Sequence, residues 1–545
     1  MCHSLRQNMC GIFAHLFTTE NVDLNLIQNS FDCTGNRGSD HHELRSVHPQ
    51  LIYGFHRLSI NDTSFKGNQP LYHPHKPYVL ICNGEIYNHK ELLKNKKSLS
   101  NSDCEVILHL YEEHGIENTL QLLDSEAFAF CIYDGELNKL FVARDRFGVR
   151  PLFIGKDTNT FTFCSEAKGL LDLSEHITQF QPGSWKEYSI SNNSIAESNY
   201  HRYYHHLYPI MNNVREDDIC YRIKTLLTNA VQKRLMSDRP IGCLLSGGLD
   251  SSIICSLVSK EFKRMDRGEL HTFSIGLKGS PDLYYAKKMA EYIGSCHHHI
   301  EYSEEEFLQI IPKVIYHIES YDTTTVRASV GNYLVGKYIS ENTDIKVVFN
   351  GDGSDEQSGY LYLKNAPNPD EFQKECVRLL QEIHFFDVLR SDRCLSSNFS
   401  LETRTPFLDT EFVQYYMSIQ PELKMYSKDR IEKYLLRRAF QNELPDDVLW
   451  RKKEAFSDGC SSSENSWHQI IQNFVDKIID DDEFNLQKDN YLFNKPVLKE
   501  SFYYRQIFEK EYPKCEKLIP HFWLPKWCDE SIQDPSARQL KIYDR

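Results

Sequence analysis

The sequence predicts two different folds in one chain, a strand-rich α+β domain followed by an α/β domain with a doubly wound parallel sheet. Up to about residue 200, short β-like runs alternate with turns. Beyond about residue 215, helical patterns alternate with short apolar strands, which is typical of a parallel sheet. After Pro367 the chain reads as mostly helical. We therefore expect domains over residues 10–205 and 215–545, because 545 residues exceed what one hydrophobic core usually serves.

The first domain is predicted from runs of alternating and apolar residues bounded by turn residues. The predicted strands are Leu51–Phe55, Tyr78–Cys82, Phe128–Tyr133, Lys139–Val142 and Phe161–Cys164. One helix is predicted over Cys104–Glu113, where apolar residues recur at helical spacing.

The second domain begins with an amphipathic pattern over Ile219–Leu235. Its predicted strands are Ile241–Leu245, Leu270–Ile275 and Lys346–Phe349. Its later helices are Glu371–Leu389, Glu432–Phe440 and Trp467–Ile479. Ligands of such a sheet bind at the carboxyl ends of the strands.

Composition excludes several classes of protein. A net charge of −15 argues against nonspecific binding to nucleic acid or to an anionic membrane. The sixteen cysteines form no C-x-x-C pair, which disfavours a disulfide framework or a zinc site. His297-His298-His299 has no acidic partner at ligand spacing, so it does not predict a metal site. With no long apolar run and a polar start, we expect a cytoplasmic protein.

The segment Ser246–Ser252, with the sequence SGGLDSS, directly follows a predicted strand and precedes a helical pattern. Glycines allow close approach of an anion, and hydroxyl and N–H groups at a helix start can donate to phosphate oxygens. No G-K-[ST] closes the loop, so it is not a Walker A loop. A plain glycine-rich turn is the alternative, but the loop resembles that of the ATP pyrophosphatases.

Three further segments could meet this loop at the strand ends. Asn350–Glu356 is an acidic, glycine-rich turn that could hold Mg²⁺ or supply a carboxylate for acid–base chemistry, although such turns are often plain surface. Arg451–Gly459 offers cations for phosphates, and Thr323–Ser329 combines hydroxyls with an arginine suited to a carboxylate.

The order SGGLDSS, YDTTTVRAS, NGDGSDE, ETRTPFLD and KKEAFSDG resembles the synthetase domain of glutamine-hydrolysing asparagine synthetases. The resemblance implies ATP and Mg²⁺ as substrate and cofactor. It implies an ATP site at Leu245, Ser246, Gly247, Gly248, Asp250, Ser251, Ile275, Asn350, Gly351 and Lys453. It also implies that Asp250 and Asp355 serve the metal, and that Thr324 and Arg327 bind aspartate.

The start Met9-Cys10-Gly11-Ile12 resembles class II glutamine amidotransferases, whose nucleophile is an N-terminal cysteine. The resemblance implies an N-terminal-nucleophile glutaminase sandwich, in which the α-amino group takes the thiol proton. We expect the active chain to begin at Cys10. Asn83 and Gly84 would form an oxyanion hole. The implied glutamine site is Arg57, Leu58, Ser59, Ile60, Asn61, Asn83, Gly84, Glu85 and Asp103.

The family resemblance implies that aspartate, ATP and glutamine give asparagine, glutamate, AMP and pyrophosphate through a β-aspartyl-AMP intermediate. A homodimer is a possible assembly. Two departures lie in the pyrophosphate turn: Asn350 and Asp352 stand where the family has Ser and Glu, and the turn is one residue shorter. A third replaces His-Arg-Gly-Pro-Asp with Asn36–Asp40. We expect Asp352 to be catalytic. Alternatives are a related amide- or lactam-forming enzyme and a degenerate, non-catalytic homologue.

Overall fold

The computed structural model describes residues 10–18, 22–94, 96–158, 160–191, 194–462, 464–529 and 533–536. The chain divides into two compact units. The first comprises the chain up to His205 together with Met236–Pro240 and Leu395–Glu402. The second comprises His206–Leu235, Ile241–Cys394 and the chain from Thr403 onward.

The first unit is built mainly from strands. They are β1 (Gly11–Phe17), β2 (His41–His48), β3 (Leu51–Arg57), β4 (Leu71–Tyr72), β5 (Tyr78–Gly84), β6 (Phe128–Asp134), β7 (Lys139–Arg144), β8 (Phe153–Lys156), β9 (Thr160–Cys164), β10 (Ile177–Gln179), β11 (Ser184–Ser191), β12 (Ser194–Glu197) and β13 (His201–Arg202). Its first helices are α1 (Leu24–Asp32), α2 (His89–Leu92) and α3 (Val106–Leu122).

These strands form two antiparallel sheets over the described residues. One has the order β10-β8-β9-β1-β3-β2, and the other has the order β12-β11-β7-β6-β5-β4, with β13 beside β11. Alternate residues of the strands fill the layer between the sheets, among them Ile12 and Ala14 of β1 and Ile81 of β5. The first unit is therefore a β-sandwich.

A helix covers the outer face of each sheet. Leu80 and Cys82 alternate with Ile81 and pack with Val106 and Ile107 of α3. On the other side, Phe31 of α1 lies 5.9 Å, ring to ring, from Phe13 of β1. Because β5 is covered on both faces, its sequence is continuously apolar rather than alternating.

The second unit begins with a helix and then alternates strands with helices. Its strands are β14 (Ile241–Leu244), β15 (His271–Leu277), β16 (Cys296–Tyr302), β17 (Val347–Phe349) and β18 (Glu402–Arg404). The helices that interleave with them are α4 (Glu216–Lys233), α5 (Leu249–Met265), α6 (Pro281–Ile293), α7 (Glu304–Gln309), α8 (Ile311–Ile318), α9 (Thr323–Asn342), α10 (Asp355–Ser358), α11 (Pro369–Phe386) and α12 (Val388–Ser391). The next helix along the chain, α13 (Ser397–Phe399), belongs to the first unit. The later helices are α14 (Thr410–Ser418), α15 (Pro421–Lys424), α16 (Tyr434–Ala439), α17 (Asp446–Leu449), α18 (Phe456–Gly459), α19 (Trp467–Ile478), α20 (Asp481–Gln487) and α21 (Lys499–Glu511).

The sheet of this unit has the order β16-β15-β14-β17-β18. Strands β14, β15, β16 and β17 pair in parallel. The chain runs from β14 outward to β15 and β16, and then returns to add β17 on the other side of β14. The strand order therefore reverses between β14 and β17, which is where doubly wound sheets bind their ligands.

The structure confirms the predicted fold class, a sandwich followed by a doubly wound sheet with a helical C-terminal part. The predicted strands and helices exist, with ends shifted by a few residues. The helix predicted over Cys104–Glu113 reaches a kink at Gly115, after which a further helical stretch runs to Leu122. The sequence did not predict the strand β16, which reads as a polar His-rich stretch. Within the described ranges, no helix is long and apolar enough to cross a membrane.

Candidate active sites

The predicted nucleophile Cys10 lies directly before β1 in the first unit. Its Sγ lies 3.3 Å from both the carbonyl oxygen and the amide nitrogen of Leu58. This contact follows from the antiparallel pairing of β1 with β3, which sets Gly11 opposite His56. Burial raises the pKa of the Cys10 thiol to about 12. The thiol therefore needs a nearby base to become nucleophilic. The predicted start at Cys10 depends on Met9, which lies outside the described residues.

A buried ion pair holds the backbone of Cys10. Arg37 donates from Nε to the Cys10 carbonyl oxygen at 3.0 Å, and its Nη1 lies 3.1 Å from Glu166 Oε1. Both side chains are fully buried. Arg37 belongs to the segment that departs from the family pattern, yet its guanidinium fixes the backbone of the predicted nucleophile.

Arg57 organises the loop that carries the predicted glutamine-binding residues. Its Nη1 donates to the Ser64 carbonyl oxygen at 2.7 Å and to Asn68 Oδ1 at 2.6 Å, and its Nη2 donates to the Asp62 carbonyl oxygen. Burial lowers the pKa of Arg57. Leu58, Ser59 and Ile60 are buried in this loop. In the described part of the chain, the guanidinium of Arg57 thus donates to oxygens of the protein itself.

The end of β5 brings several predicted residues together. Asn61 donates from Nδ2 to Glu85 Oε2, and Asp103 Oδ2 accepts from the Ile86 amide at 2.6 Å. Burial raises the pKa of Asp103. Asn61, Glu85 and Asp103 therefore lie around one strand end, where Gly84 also contributes its carbonyl oxygen to the Cys104 thiol at 3.4 Å.

Asn83 is buried at the same strand end. Its side-chain amide nitrogen has no hydrogen-bond partner among the described residues. A buried amide donor without a partner is costly, so each instance needs an explanation. An oxyanion hole needs such a donor, held ready for charge that develops during the reaction.

In the second unit, a cavity opens at the strand-order reversal between β14 and β17. The predicted ATP residues that line it are Leu245, Ser246, Gly248, Asp250, Ser251, Ile275, Asn350, Gly351 and Lys453. Gly247 does not line it: its φ of +71° and its contact with α6, where a Cβ would lie 2.4 Å from the Ala286 nitrogen, both require glycine. Gly351 allows the two loops to touch, because a Cβ there would lie 2.9 Å from Asp250 Cβ.

Two carboxylates and two ammonium groups face one another in this cavity. Lys433 Nζ lies 2.6 Å from Asp250 Oδ2 and 2.6 Å from Asp355 Oδ1. Lys453 Nζ lies 2.6 Å from Asp355 Oδ2 and 3.7 Å from Asp250 Oδ2. Burial opposes ionisation of Asp355, but the two lysines outweigh it and lower its pKa. The four groups are charge-balanced, so a phosphate group could exchange for the carboxylates as partner of the lysines.

Asp352 lies at another wall of the cavity. It accepts from Asn350 Nδ2 at 2.9 Å and from the Ser391 hydroxyl. Burial raises the pKa of Asp352. The cavity wall also includes Arg390, whose Nη2 lies 2.6 Å from Asp387 Oδ1. A carboxylate and a guanidinium thus lie on the same cavity as the lysines.

The two residues predicted to bind aspartate are placed differently. Thr324 lines the cavity, and its buried hydroxyl has no hydrogen-bond partner in the described part of the chain. Arg327 does not line the cavity. Its guanidinium is buried between Glu500, at 2.5 and 2.8 Å, and Asp534, at 2.8 and 3.0 Å. Although Thr324 and Arg327 are about one turn apart on α9, only Thr324 of the two reaches the cavity.

Sequence reasoning missed several residues that line the cavity, and four of them carry polar or charged groups that matter to the proposed function. They are Lys433, Tyr360, Asp387 and Arg390. Lys433 precedes α16 with a φ of +56°, and no motif surrounds it. The Tyr360 hydroxyl lies 3.0 Å from Glu356 Oε1 and 3.3 Å from Asp387 Oδ2, and its one proton can be donated to either. Their only sequence signal is a polar residue beside an apolar helical run, which is common on any protein surface.

Comparison with known proteins places both parts of the chain in described families. A family model described as a glutamine amidotransferase domain matches residues 9–220, and one described as asparagine synthase matches residues 222–368 and 363–532. The chain is 44% identical to the glutamine-hydrolysing asparagine synthetase of Rattus norvegicus and 42% identical to that of Homo sapiens, each over 98% of this chain and 99% of the relative.

Solved structures of similar fold are more distant. A glutamine phosphoribosylpyrophosphate amidotransferase from B. subtilis is 15% identical, with a TM-score of 0.31 over 53% of this chain and 81% of that chain. That similarity is too low to support an argument about the site. The sequence matches, in contrast, extend across both units, so the chain belongs to the family of glutamine-hydrolysing asparagine synthetases.

Proposed function

We propose that this chain makes asparagine from aspartate, using ATP and the ammonia released from glutamine. Residues 10–205 would release the ammonia, and residues 215–545 would activate aspartate and join the two. The observation that carries the proposal is the pair of lysines, Lys433 and Lys453, at the sheet's switch point, with two carboxylates beside them. A cytoplasmic location and a homodimer stay predictions.

The glutaminase half would use Cys10 as nucleophile. Its sulfur attacks the side-chain amide carbon of glutamine, and the thiol proton passes to the α-amino group of Cys10 when that group is free. Asn83 Nδ2 and the Gly84 N–H would stabilise the oxyanion. The proton then goes to the departing ammonia, and water hydrolyses the thioester to glutamate.

Glutamine itself would be held by the loop after β3 and the strand end of β5. Glu85 and Asp103 would accept from its α-ammonium group, and Asn61 is fixed by its contact with Glu85. Arg57 would attract the α-carboxylate through its positive charge, while its hydrogen bonds to Ser64 and Asn68 keep the loop in place.

The synthetase half would bind ATP as its magnesium complex. Asp250 and Asp355 are hard oxygen ligands of the kind Mg²⁺ prefers, and they fit the ion once the lysines shift to phosphate oxygens. The β-carboxylate of aspartate attacks the α-phosphorus and pyrophosphate leaves, with Lys433 and Lys453 balancing its charge. This yields β-aspartyl-AMP.

In the last step ammonia would attack the activated carbonyl and displace AMP. Asp352 lines the cavity as a carboxylate that could take the proton from the attacking nitrogen. We propose that Thr324 and Arg390 contact aspartate directly. Arg327 would act indirectly, by positioning Thr324, because both residues lie on α9. Its ion pairs with Glu500 and Asp534 tie this helix to α21 and to residue 534.

The direct test is an assay of purified protein with ATP, aspartate and glutamine. We expect asparagine, glutamate, AMP and pyrophosphate in equal amounts, and asparagine from added ammonia without glutamate. Pyrophosphate release with another acid but not with aspartate would favour a related amide- or lactam-forming enzyme. No pyrophosphate with any acid would favour a non-catalytic homologue.

A further inference from the structure

Three metal-ligating side chains lie together on strands β15 and β16, in a group that we call the β16 cluster: His271, Cys296 and His298. The parallel register sets His271 opposite Cys296, and His298 lies two residues further along β16. Residues two apart in a strand share a face, so all three side chains lie on one face of the sheet. Their ligand atoms all lie within 4.8 Å of one another.

The histidine nitrogens of the β16 cluster have partners that suit metal binding. His298 Nδ1 lies 3.3 Å from the Tyr338 hydroxyl, and its Nε2 lies 2.9 Å from His271 Nδ1. If Nδ1 donates to Tyr338, the lone pair of His298 Nε2 is directed into the cluster, as in most histidine metal sites.

We propose that the β16 cluster binds Zn²⁺ through Cys296 Sγ, His271 Nδ1 and His298 Nε2, with water as the fourth ligand. Tetrahedral zinc with bonds of about 2.0–2.1 Å to nitrogen needs nitrogens about 3.3 Å apart. The observed 2.9 Å separation is thus close to the required one. Two imidazoles and one thiolate form a donor set that zinc favours over Mg²⁺. On binding, the Cys296 thiol loses its proton to solvent.

A second group of three side chains has comparable spacing but is less suited to binding a metal. It consists of His73, His109 and Glu112. The amides of His75 and Lys76 donate to His73 Nδ1 at 3.3 and 3.1 Å. The proton of the neutral His73 ring is therefore on Nε2, the atom that faces Glu112 at 3.1 Å. Two backbone donors hold His73 in that tautomer, whereas the contact that places the proton of His271 on Nδ1 is the one with His298 Nε2, which the metal would replace.

The position of the β16 cluster indicates what zinc would do. In the described sheet β16 is an edge strand, bonded only to β15. Its three ligands are half-buried, so an ion can enter from solvent. A metal that bridges β15 and β16 would fasten the edge strand, and binding only the folded chain would raise its melting temperature.

The experiment uses the full chain, stripped of metal with a chelator and titrated with Co²⁺ as a spectroscopic substitute for zinc. We expect one Co²⁺ per chain, with a thiolate-to-cobalt charge-transfer band in the near ultraviolet that Zn²⁺ abolishes. Cys296→Ser should remove the band, and His298→Gln should weaken binding by at least about tenfold. Matched controls are Cys33→Ser, an exposed cysteine elsewhere, and His299→Gln, an exposed neighbour on the opposite face of β16.

A second measurement needs no variant. Zinc should protect Cys296 of the unmodified chain from iodoacetamide, as mapped by mass spectrometry, and should raise the melting temperature. The proposal is overturned if the unmodified chain shows no band, if Cys296→Ser keeps the band, or if alkylation of Cys296 does not respond to zinc.

Discussion

Lys433 donates from its ammonium group to both carboxylate oxygens of Asp250, at 2.7 and 2.6 Å. The same nitrogen lies 2.6 Å from Asp355, so one buried lysine joins the start of α5, which follows β14, to the start of α10, which follows β17. Both helix starts lie at the cavity, where the strand order reverses. We therefore regard Lys433 as a central residue of the proposed pyrophosphate site.

Replacing Lys433 with methionine should remove asparagine synthesis by at least about 10²-fold, because the departing phosphates lose a positioned positive charge. It should also destabilise the chain by roughly 3 kcal/mol, since two carboxylates lose a buried partner. Glutaminase activity should remain. The measurements are asparagine formation from added ammonia and thermal unfolding.

Lys428→Met is the matched control, because Lys428 is exposed in the same part of the chain. Lys428→Met should change neither asparagine formation nor the unfolding temperature. Full synthetase activity in Lys433→Met would remove Lys433 from the proposed site and leave Lys453 as its cation.

The sequence predicted much of the lining of the cavity between β14 and β17 because SGGLDSS, NGDGSDE and the lysine segment are each contiguous motifs at strand or helix ends. It could not predict Lys433, Arg390 or Tyr360, since these reach the cavity through tertiary packing and have no local pattern. Arg327 illustrates the reverse case. Residue type suggested a carboxylate ligand, but its carboxylate partners, Glu500 and Asp534, are supplied by the distant C-terminal part of the chain.

The β16 strand was missed for a related reason. Its residues are polar and half-buried, so no apolar alternation marks them. Its edge position in the sheet explains that composition, because an edge strand has fewer apolar neighbours. The pairing of Cys296 with His271 depends on register between strands, which spacing along the sequence does not reveal.

Asp352→Asn should abolish asparagine synthesis while glutaminase activity persists, because the amide cannot take a proton from the attacking ammonia. Asp352→Glu should not improve synthesis. The present carboxylate accepts from Asn350 and Ser391, and a longer side chain would be displaced from both. A misplacement of about 1 Å can cost roughly 10²-fold in rate.

Steady-state synthesis from ammonia measures both variants. A severalfold gain in Asp352→Glu would show that the shorter Asp352 side chain limits synthesis. Unchanged synthesis in Asp352→Asn would leave the carboxylate without a catalytic role.

Arg390→Lys and Arg327→Lys should differ in their effects. Arg390 lines the cavity, so its loss should raise the KM for aspartate by about tenfold or more with little change in the KM for ATP. Arg327 is fully buried between two carboxylates, so Arg327→Lys should chiefly lower the melting temperature. Kinetics at varied aspartate and thermal unfolding measure the two effects. The reverse pattern would place Arg327, rather than Arg390, on the substrate.

Glu105 provides a pH test of the glutamine site. Burial opposes its ionisation, but the nearby His109 ring and hydrogen bonds from Ser100, Leu99 and Ser98 outweigh it and lower its pKa from 4.5 to about 2. Because the pKa of Glu105 is lower in the folded chain than in the unfolded chain, its ionised form stabilises the fold at pH values above the unfolded pKa of 4.5. This stabilisation is lost as the pH falls from about 4.5 towards 2.

Glu105→Gln should therefore unfold at a lower temperature than the unmodified chain at pH 7, and the difference should shrink below about pH 4.5. It should also raise the KM for glutamine, because Glu105 fixes the loop that leads to Asp103. Thermal scans across pH test the first effect. A difference that stays constant down to pH 3 would contradict the assigned role.

The central claim is that two separable reactions operate in one chain, and Cys10→Ala tests it most directly. The measurement is asparagine formation by this variant with glutamine and, in parallel, with added ammonia. We predict no asparagine from glutamine and an undiminished rate from ammonia, because the thiol is needed only to release ammonia. Equal loss with both nitrogen donors, or full activity with glutamine, would contradict the claim.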